Sequence, residues 1–361
     1  MNILIVKTSA IGDLLHTLPA LPALRATYPA AHISWLVEEE ASDLLLGLPG
    51  LDEVLVSRRK RWIKAFKAGE RLATLKEIAA FIRQVRAREY DLLLDFQGLL
   101  KSSLFVALSR ARRKVGFGRG MAHAEGSYLF LTERVVPVSM DTHAVDRELL
   151  LLAGIGIRPQ VVDTTLPLGA MDHERAEALL AAHGLTPDQP MVAINPMTTW
   201  ETKHWHSRGF AAVADHFQRQ GLAVVFTGGQ GDRGAIASIL SQMQEKGAVA
   251  LAGATTLRTL AALYARARAL ITTDTGPMHI AAAVRTPVVA LFGPTAPWRT
   301  GPYGPGHQIV RAGLSCSPCF KRSCPLGTQE CMQAITVAQV LNAAQQIPAL
   351  AATARSLDFC P

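Results

Sequence analysis

Apolar residues follow two alternating rhythms along this chain. Short, nearly continuous runs such as Ile3-Leu4-Ile5-Val6 are bounded by turn residues, which predicts strands buried on both faces. Between them lie longer stretches with apolar positions three and four apart, the period of a helix resting on a sheet. The first half reads as a strand over 2–7, a helix over 13–28 kinked by Pro19 and Pro22, a strand over 31–37, a helix over 71–88, a strand over 91–95 and a helix over 98–110. A second series starts near residue 190. It runs strand 191–195, helix 207–220 (capped by Ser207, stopped at Gly221), strand 222–227, helix 235–245, strand 248–251, helix 257–266, strand 269–273, helix 277–284 and strand 287–292. This alternation predicts an α/β protein with parallel sheets covered by helices. The two series join within 163–172, where Pro167 and Gly169 interrupt the periodicity. A last helix, about 337–354, is expected to return to the first unit.

Length and composition agree with two domains. The 361 residues are 49% hydrophobic and 18% charged, enough apolar material for two cores. A net charge of +8 points to anionic partners: nucleic acid, a membrane surface or phosphorylated substrates. The longest apolar run, Leu149 to Ile157, is about half the roughly 18 residues of a membrane span. The opening Met1-Asn2-Ile3-Leu4-Ile5-Val6-Lys7 has no basic segment before its apolar stretch, so no secretory leader is expected. The chain therefore reads as cytosolic, resting on a membrane surface at most. Of five cysteines, Cys316, Cys319, Cys324 and Cys331 crowd together and Cys360 sits at the tail. Such a cluster in a cytosolic protein is either reduced thiols or a zinc or iron site, and its spacing fits neither the paired-CxxC zinc pattern nor a ferredoxin.

Several segments can carry chemistry. Ile271-Thr272-Thr273-Asp274-Thr275-Gly276-Pro277-Met278-His279 reads as strand end, turn and helix start, where free N–H groups and the helix dipole favour a phosphate. Gly276 permits close backbone approach, and His279, one turn in, reaches the same anion. The plainer alternative is a helix start with Asp274 as its cap. Asn195-Pro196-Met197-Thr198-Thr199-Trp200-Glu201-Thr202-Lys203 leaves another strand end, with hydroxyls and a lysine suited to a pyrophosphate. Gly229-Gln230-Gly231-Asp232-Arg233-Gly234 fits G-x-G-x-x-G. The acid that a nicotinamide dinucleotide site needs about 20 residues on is missing from Ala248–Gly253, so it reads as a tight turn near a nucleotide, with Asp232 able to bond a ribose hydroxyl. Lys7-Thr8-Ser9-Ala10-Ile11-Gly12-Asp13 puts a carboxylate at a helix start, either as a cap or as a base toward an attacking hydroxyl. Arg58 to Lys67 holds six basic residues in ten with Trp62 and Phe66 four apart. It suits nucleic acid, an anionic lipid headgroup or an acidic sugar, or is simply a solvated face. Arg119, in Gly116–Gly120, adds to the same anion site.

Taken together these segments resemble glycosyltransferase family nine, the heptosyltransferases of lipopolysaccharide core assembly, from residue 1 to about 345. The likeness rests on Ile5–Asp13 followed by Leu15-His16-Thr17-Leu18-Pro19-Ala20-Leu21, on Val37-Glu38-Glu39, on Asp95-Phe96-Gln97-Gly98-Leu99-Leu100-Lys101-Ser102, on Thr202-Lys203-His204-Trp205, on Asp274–His279 and on Gly293-Pro294-Thr295, and the opening is most like the type I enzymes. The resemblance implies a GT-B architecture: two Rossmann-like doubly wound domains facing each other across a cleft, with an acceptor domain over 1–170, a nucleotide-sugar domain over 171–336 and a terminal helix over 337–361. It implies an inverting transferase moving heptose from ADP-heptose to a Kdo sugar on lipid A, peripheral at the inner face of the inner membrane, with no required cofactor and no nucleic-acid partner. Asp13 takes the place of the general base. Thr198, Thr199 and Lys203 match the donor-phosphate loop; Asp274, Thr275, Gly276 and His279 match the second donor loop; Asp232 aligns approximately with the ribose acid. Lys7, Ser9, Arg58, Arg59, Arg61, Lys64 and Arg119 fall where the acidic acceptor is expected. The alternatives are a type II or other GT-B transferase, an NAD-linked oxidoreductase using the Gly229–Gly234 turn, and a nucleic-acid-binding protein using Arg58–Lys67.

Overall fold

The computed structural model describes residues 1–121 and 125–355, so Cys360 lies outside the described residues. The chain divides between Thr164 and Thr165 into two units. The first runs β1 (Asn2–Val6), α1 (Ile11–Thr17), α2 (Ala20–Thr27), β2 (His32–Glu38), α3 (Glu39–Ser42), β3 (Glu53–Ser57), α4 (Arg59–Lys67), α5 (Arg71–Arg86), β4 (Tyr90–Asp95), α6 (Leu100–Leu108), β5 (Ala111–Phe117), β6 (Glu133–Val135) and α7 (Ala144–Ala153). Its sheet has the order β3-β2-β1-β4-β5-β6 with every pair parallel. This is the doubly wound order in which the chain reverses direction across the sheet between the first and fourth strands. Continuous apolar runs become central strands because both faces are covered: Ile3 to Val6 and Leu92 to Leu94 are fully buried. The register sets Val6 beside Asp95, so the loops after β1 and β4 leave the sheet side by side.

The second unit repeats the plan with α8 (Ala170–Ala181), β7 (Met191–Asn195), α9 (Ser207–Arg219), β8 (Ala223–Phe226), α10 (Arg233–Ser241), β9 (Val249–Ala250), α11 (Leu257–Arg266), β10 (Leu270–Thr273), α12 (Gly276–Ala283), β11 (Val288–Leu291), α13 (Pro297–Thr300), β12 (Gln308–Val310), α14 (Glu330–Gln333), α15 (Val337–Gln345) and α16 (Pro348–Arg355). The order β12-β11-β10-β7-β8-β9, all parallel, again places the reversal between its first and fourth strands, β7 and β10.

Local chemistry explains where elements differ from the pattern. The helix expected over 13–28 is two helices, and Pro19, which has no N–H to donate, is the N-cap of α2. Ser207 is the first residue of α9 rather than its cap; His206 Nδ1 accepts the Gly209 N–H at 2.8 Å. The stretch read as one helix over 337–354 is α15 and α16, and Val340, Ala344, Ile347 and Leu350 join Val289, Leu291 and Val310 in the second unit's core. Among the described residues no helix is long and apolar enough to cross a membrane.

Candidate functional site

The reversal point of the first sheet is the mouth of a cavity of about 320 Å³ lined by Lys7, Asp13, Asp95, Gln97, Arg147 and Glu148, among others. The chain leaves β1 at Lys7, and the Gln97 side-chain oxygen holds the next turn by accepting the Thr8 N–H at 2.8 Å, the Thr8 hydroxyl at 2.9 Å and the Ser9 N–H at 2.9 Å. One amide thus fixes the loop that delivers Asp13. Asp13 is the third residue of α1, and its carboxylate accepts the Ala10 N–H at 3.1 Å. It therefore serves the helix start and also lines the cavity, so the two readings of this residue are compatible.

Lys7 is almost fully buried, and its ammonium donates to Glu148 Oε1 at 2.6 Å and to the Phe96 carbonyl at 2.8 Å. Burial pushes the Glu148 carboxyl up, while the adjacent Lys7 charge opposes that shift. Asp95 is pushed up to about 6, chiefly by burial, against the pull of N–H bonds from Gly98 and Gln97 and of the Lys7 charge. The cavity thus combines three carboxylates with two cations. Asp95, Arg147 and Glu148 had no assigned role in the sequence. Asp95 stood in a recognised motif, whereas Arg147 and Glu148 sit on α7, far along the chain, with no motif around them.

The basic segment is α4 with Arg58 as its N-cap. Arg59 pairs with the buried Glu38 at 3.0 Å, and Glu38 also lies 3.9 Å from Lys101, which donates to the Ser9 hydroxyl. Arg59, Glu38, Lys101 and Ser9 therefore link the basic helix to the Lys7–Asp13 loop. Arg58 faces Glu39 at 3.0 Å and Arg61 faces Glu77 at 3.7 Å, while Lys64 and Arg119 are exposed.

The second unit has its polar groups at the matching place, the ends of β7 and β10. Lys203 meets Asp274 Oδ2 at 2.6 Å, and the Thr295 hydroxyl donates to the same oxygen at 2.6 Å. Asp274 is therefore not a helix cap. The N-cap of α12 is Thr275, the helix starts at Gly276, and no side chain caps it, which leaves its first N–H groups open. Thr198 reaches the Asp274 carbonyl at 3.5 Å, His204 Nε2 lies 2.8 Å from the Thr198 carbonyl, and Thr199 is exposed. His279 is buried one turn into α12. Two buried polar atoms at these strand ends, Asn195 Oδ1 and Thr273 Oγ1, have no hydrogen-bond partner among the described residues, capacity that a ligand can meet.

Sequence reasoning missed Arg322. Its guanidinium lies 5.1 Å from the centre of the Trp200 ring, and Lys203 lies 4.6 Å from the same ring. The Thr202 hydroxyl donates to the Lys321 carbonyl at 2.9 Å, tying this second cation to the lysine loop. Asp232 accepts the Gly229 N–H at 2.7 Å within the turn that follows β8. Cys316, Cys319, Cys324 and Cys331 are free thiols, and among the described residues no group of three or more His, Cys, Asp or Glu side chains is placed to hold a metal ion.

Two doubly wound sheets, each with charged loops at its reversal point, are the parts of a GT-B glycosyltransferase. The family model for glycosyltransferase family 9 (heptosyltransferase) matches residues 78–329. The chain belongs to glycosyltransferase family 9. It is 32% identical over 330 residues to lipopolysaccharide heptosyltransferase 1 of Pseudomonas aeruginosa, covering 90% of this chain and 87% of that protein. The crystal structure of the glycosyl transferase family 9 protein of Veillonella parvula superposes with a TM-score of 0.80 at 25% identity, covering 96% of each chain. The Escherichia coli heptosyltransferase WaaC with ADP-2-deoxy-2-fluoro heptose gives 0.74 at 25% identity, covering 96% of this chain and 99% of that one. Membership makes this family-9 chain a glycosyltransferase, in place of the oxidoreductase reading of its glycine turn.

Proposed function

We propose that the chain is a type I inverting heptosyltransferase of the lipopolysaccharide inner core, moving heptose from ADP-heptose to a Kdo sugar of the lipid A precursor in the cytoplasm, at the inner face of the inner membrane. The second unit takes the donor and the first the acceptor. The observation that carries this reading is the placing of Asp13 beside Lys7 in the cavity where the first sheet reverses, with Lys203, Asp274 and the open start of α12 at the same point of the second sheet.

The acceptor hydroxyl attacks the anomeric carbon and gives its proton to the Asp13 carboxylate. The new C–O bond forms as the bond from that carbon to the diphosphate breaks on the opposite face, which inverts configuration, and ADP leaves. Lys203 and the N–H groups at Thr275 and Gly276 stabilise the charge that grows on the departing phosphate. Thr198, Thr199 and His279 line the same loops, and Asp232 bonds the ribose. In the free protein Asp274 holds Lys203 in place, so the cation is oriented before the donor arrives. Lys7, Ser9, Arg58, Arg59, Arg61, Lys64 and Arg119 bind the acidic acceptor. The likeness to a lipopolysaccharide heptosyltransferase 1 favours the type I acceptor over that of type II. No cofactor enters this scheme.

Donor selectivity tests the reading. In a thermal-shift panel of ADP, UDP and GDP, ADP is expected to raise the melting temperature most, because a ligand that binds only the folded state adds about 2.7 kcal/mol at a hundred times its dissociation constant. Mass spectrometry of a reaction with ADP-heptose and a Kdo-containing acceptor should then show one heptose added. Equal shifts with all three nucleotides, or no product, would overturn it.

A further inference from the structure

Helices α4, α5 and α6 enclose a second cavity, about 340 Å³, whose apolar walls the transfer scheme does not use. Its walls are mainly apolar, with Trp62, Ile63 and Phe66 from α4, Ile78 and Phe81 from α5, and Phe105 from α6. It opens at the surface, since Ile63 and Phe66 on its lining are 44% and 43% exposed. Helical spacing extends the apolar surface past the opening. Leu75, Ile78 and Ile82 fall at i, i+3 and i+7 on α5, and Leu100, Leu104 and Leu108 at i, i+4 and i+8 on α6. Leu75, Leu100 and Leu104 are 53%, 62% and 57% exposed. Large apolar side chains gathered around one opening mark an interaction site rather than ordinary surface.

Charge narrows the occupant. Arg59, Lys67 and Lys101 line the same slot, and the segment from Arg58 to Lys67 has six basic residues and no acid. Glutamates of neighbouring elements pair with Arg58, Lys60 and Arg61, but Lys64 and Lys67 make no ion pair among the described residues. A nucleic acid would use this charge and leave the apolar slot unexplained; an amphipathic peptide without acidic residues would fill the slot and leave the surplus charge unmatched. A fatty acyl chain beneath an anionic headgroup satisfies both. We propose that α4, α5 and α6 form the face that docks on an anionic lipid bilayer, with one acyl chain seated in the slot against Trp62. Lys67 meets headgroup phosphates, while Phe66, Ile63 and Leu104 enter the interface. This deepens the membrane association proposed above and rests on it, but the assay contains no sugar nucleotide, so its outcome and that of the transfer reaction are read separately.

The full chain is sedimented with phosphatidylcholine vesicles, with or without about a quarter phosphatidylglycerol. Binding is expected to be about tenfold stronger or more on the anionic vesicles, and to weaken steeply with salt because exposed charges are screened within roughly 8 Å at physiological ionic strength. Lys67→Glu and Phe66→Ser, each at an exposed position, should both reduce it while keeping the wild-type melting temperature. Should Phe66→Ser lower that temperature, Lys67→Glu reads the same prediction. Phosphatidylglycerol with brominated chains should quench tryptophan emission in the wild type, and Trp62→Phe should remove that quenching. No binding, equal binding to neutral vesicles, or anionic binding with Trp62 emission unquenched would each overturn the proposal.

Discussion

Asp95 ends β4 with Oδ1 accepting the N–H groups of Gln97 and Gly98, both at 3.1 Å, while its buried Oδ2 meets no donor at hydrogen-bond distance among the described residues. Burial raises its carboxyl from 3.8 to about 6. The folded protein therefore holds this proton over a range where the unfolded chain has lost it. The stability it contributes is fully present below about pH 4 and is lost as pH rises through about 6, a change of about 3 kcal/mol at ~1.4 kcal/mol for each unit. Asn cannot ionise, and its side-chain oxygen still accepts both N–H groups. Asp95→Asn should gain stability relative to the wild type by about that amount between pH 4 and pH 7, as measured by urea unfolding. A difference that does not change with pH would show that Asp95 is not held protonated by its surroundings.

At the scale of elements, the central strands were plain in the sequence because both of their faces are buried and their apolar runs are unbroken. The strands that the pattern passed over, β3, β5, β6 and β12, lie at or next to the sheet edges, and β5 is polar. Strand β5 pairs through its backbone with β4 and β6 but carries Arg112, Arg113 and Lys114 in succession, so a search for apolar runs passes over it. Strand β6 is three residues long, too short to show any period. Close packing between elements is equally hidden. A Cβ on Gly209, in the first turn of α9, would lie 2.5 Å from two ring atoms of Trp205. That ring is pinned by its N–H to the Ile335 carbonyl at 2.9 Å, two residues after Lys203. Gly209→Ala should thus cost about 1–3 kcal/mol, the usual penalty of overpacking, and weaken ADP binding by moving the lysine loop. Calorimetric melting and an ADP titration check both effects; unchanged values in both would mean the ring yields without disturbing the loop.

Across the whole molecule, what was legible depended on proximity along the chain. Asp13, Lys203 and Asp274 lie in short motifs at strand ends, so residue type and spacing marked them as candidates. The groups that set their surroundings do not. Glu148 reaches Lys7 from 141 positions away, and Thr295 reaches Asp274 from another strand end. Lys203 was expected as a free cation for phosphate, whereas its pairing with Asp274 appears only once β7 and β10 lie side by side. The central claim is that the first unit supplies the base and the second the donor site, so a change in one should be separable from ligand binding in the other. Asp13→Asn measures this directly, because the amide oxygen can still accept the Ala10 N–H and preserve the helix start. Calorimetric ADP titration of that variant should give a dissociation constant within about threefold of the wild type, with kcat lower by roughly 10²–10⁴, the usual worth of a general base. Near-normal kcat in a variant that binds ADP normally would contradict the assignment.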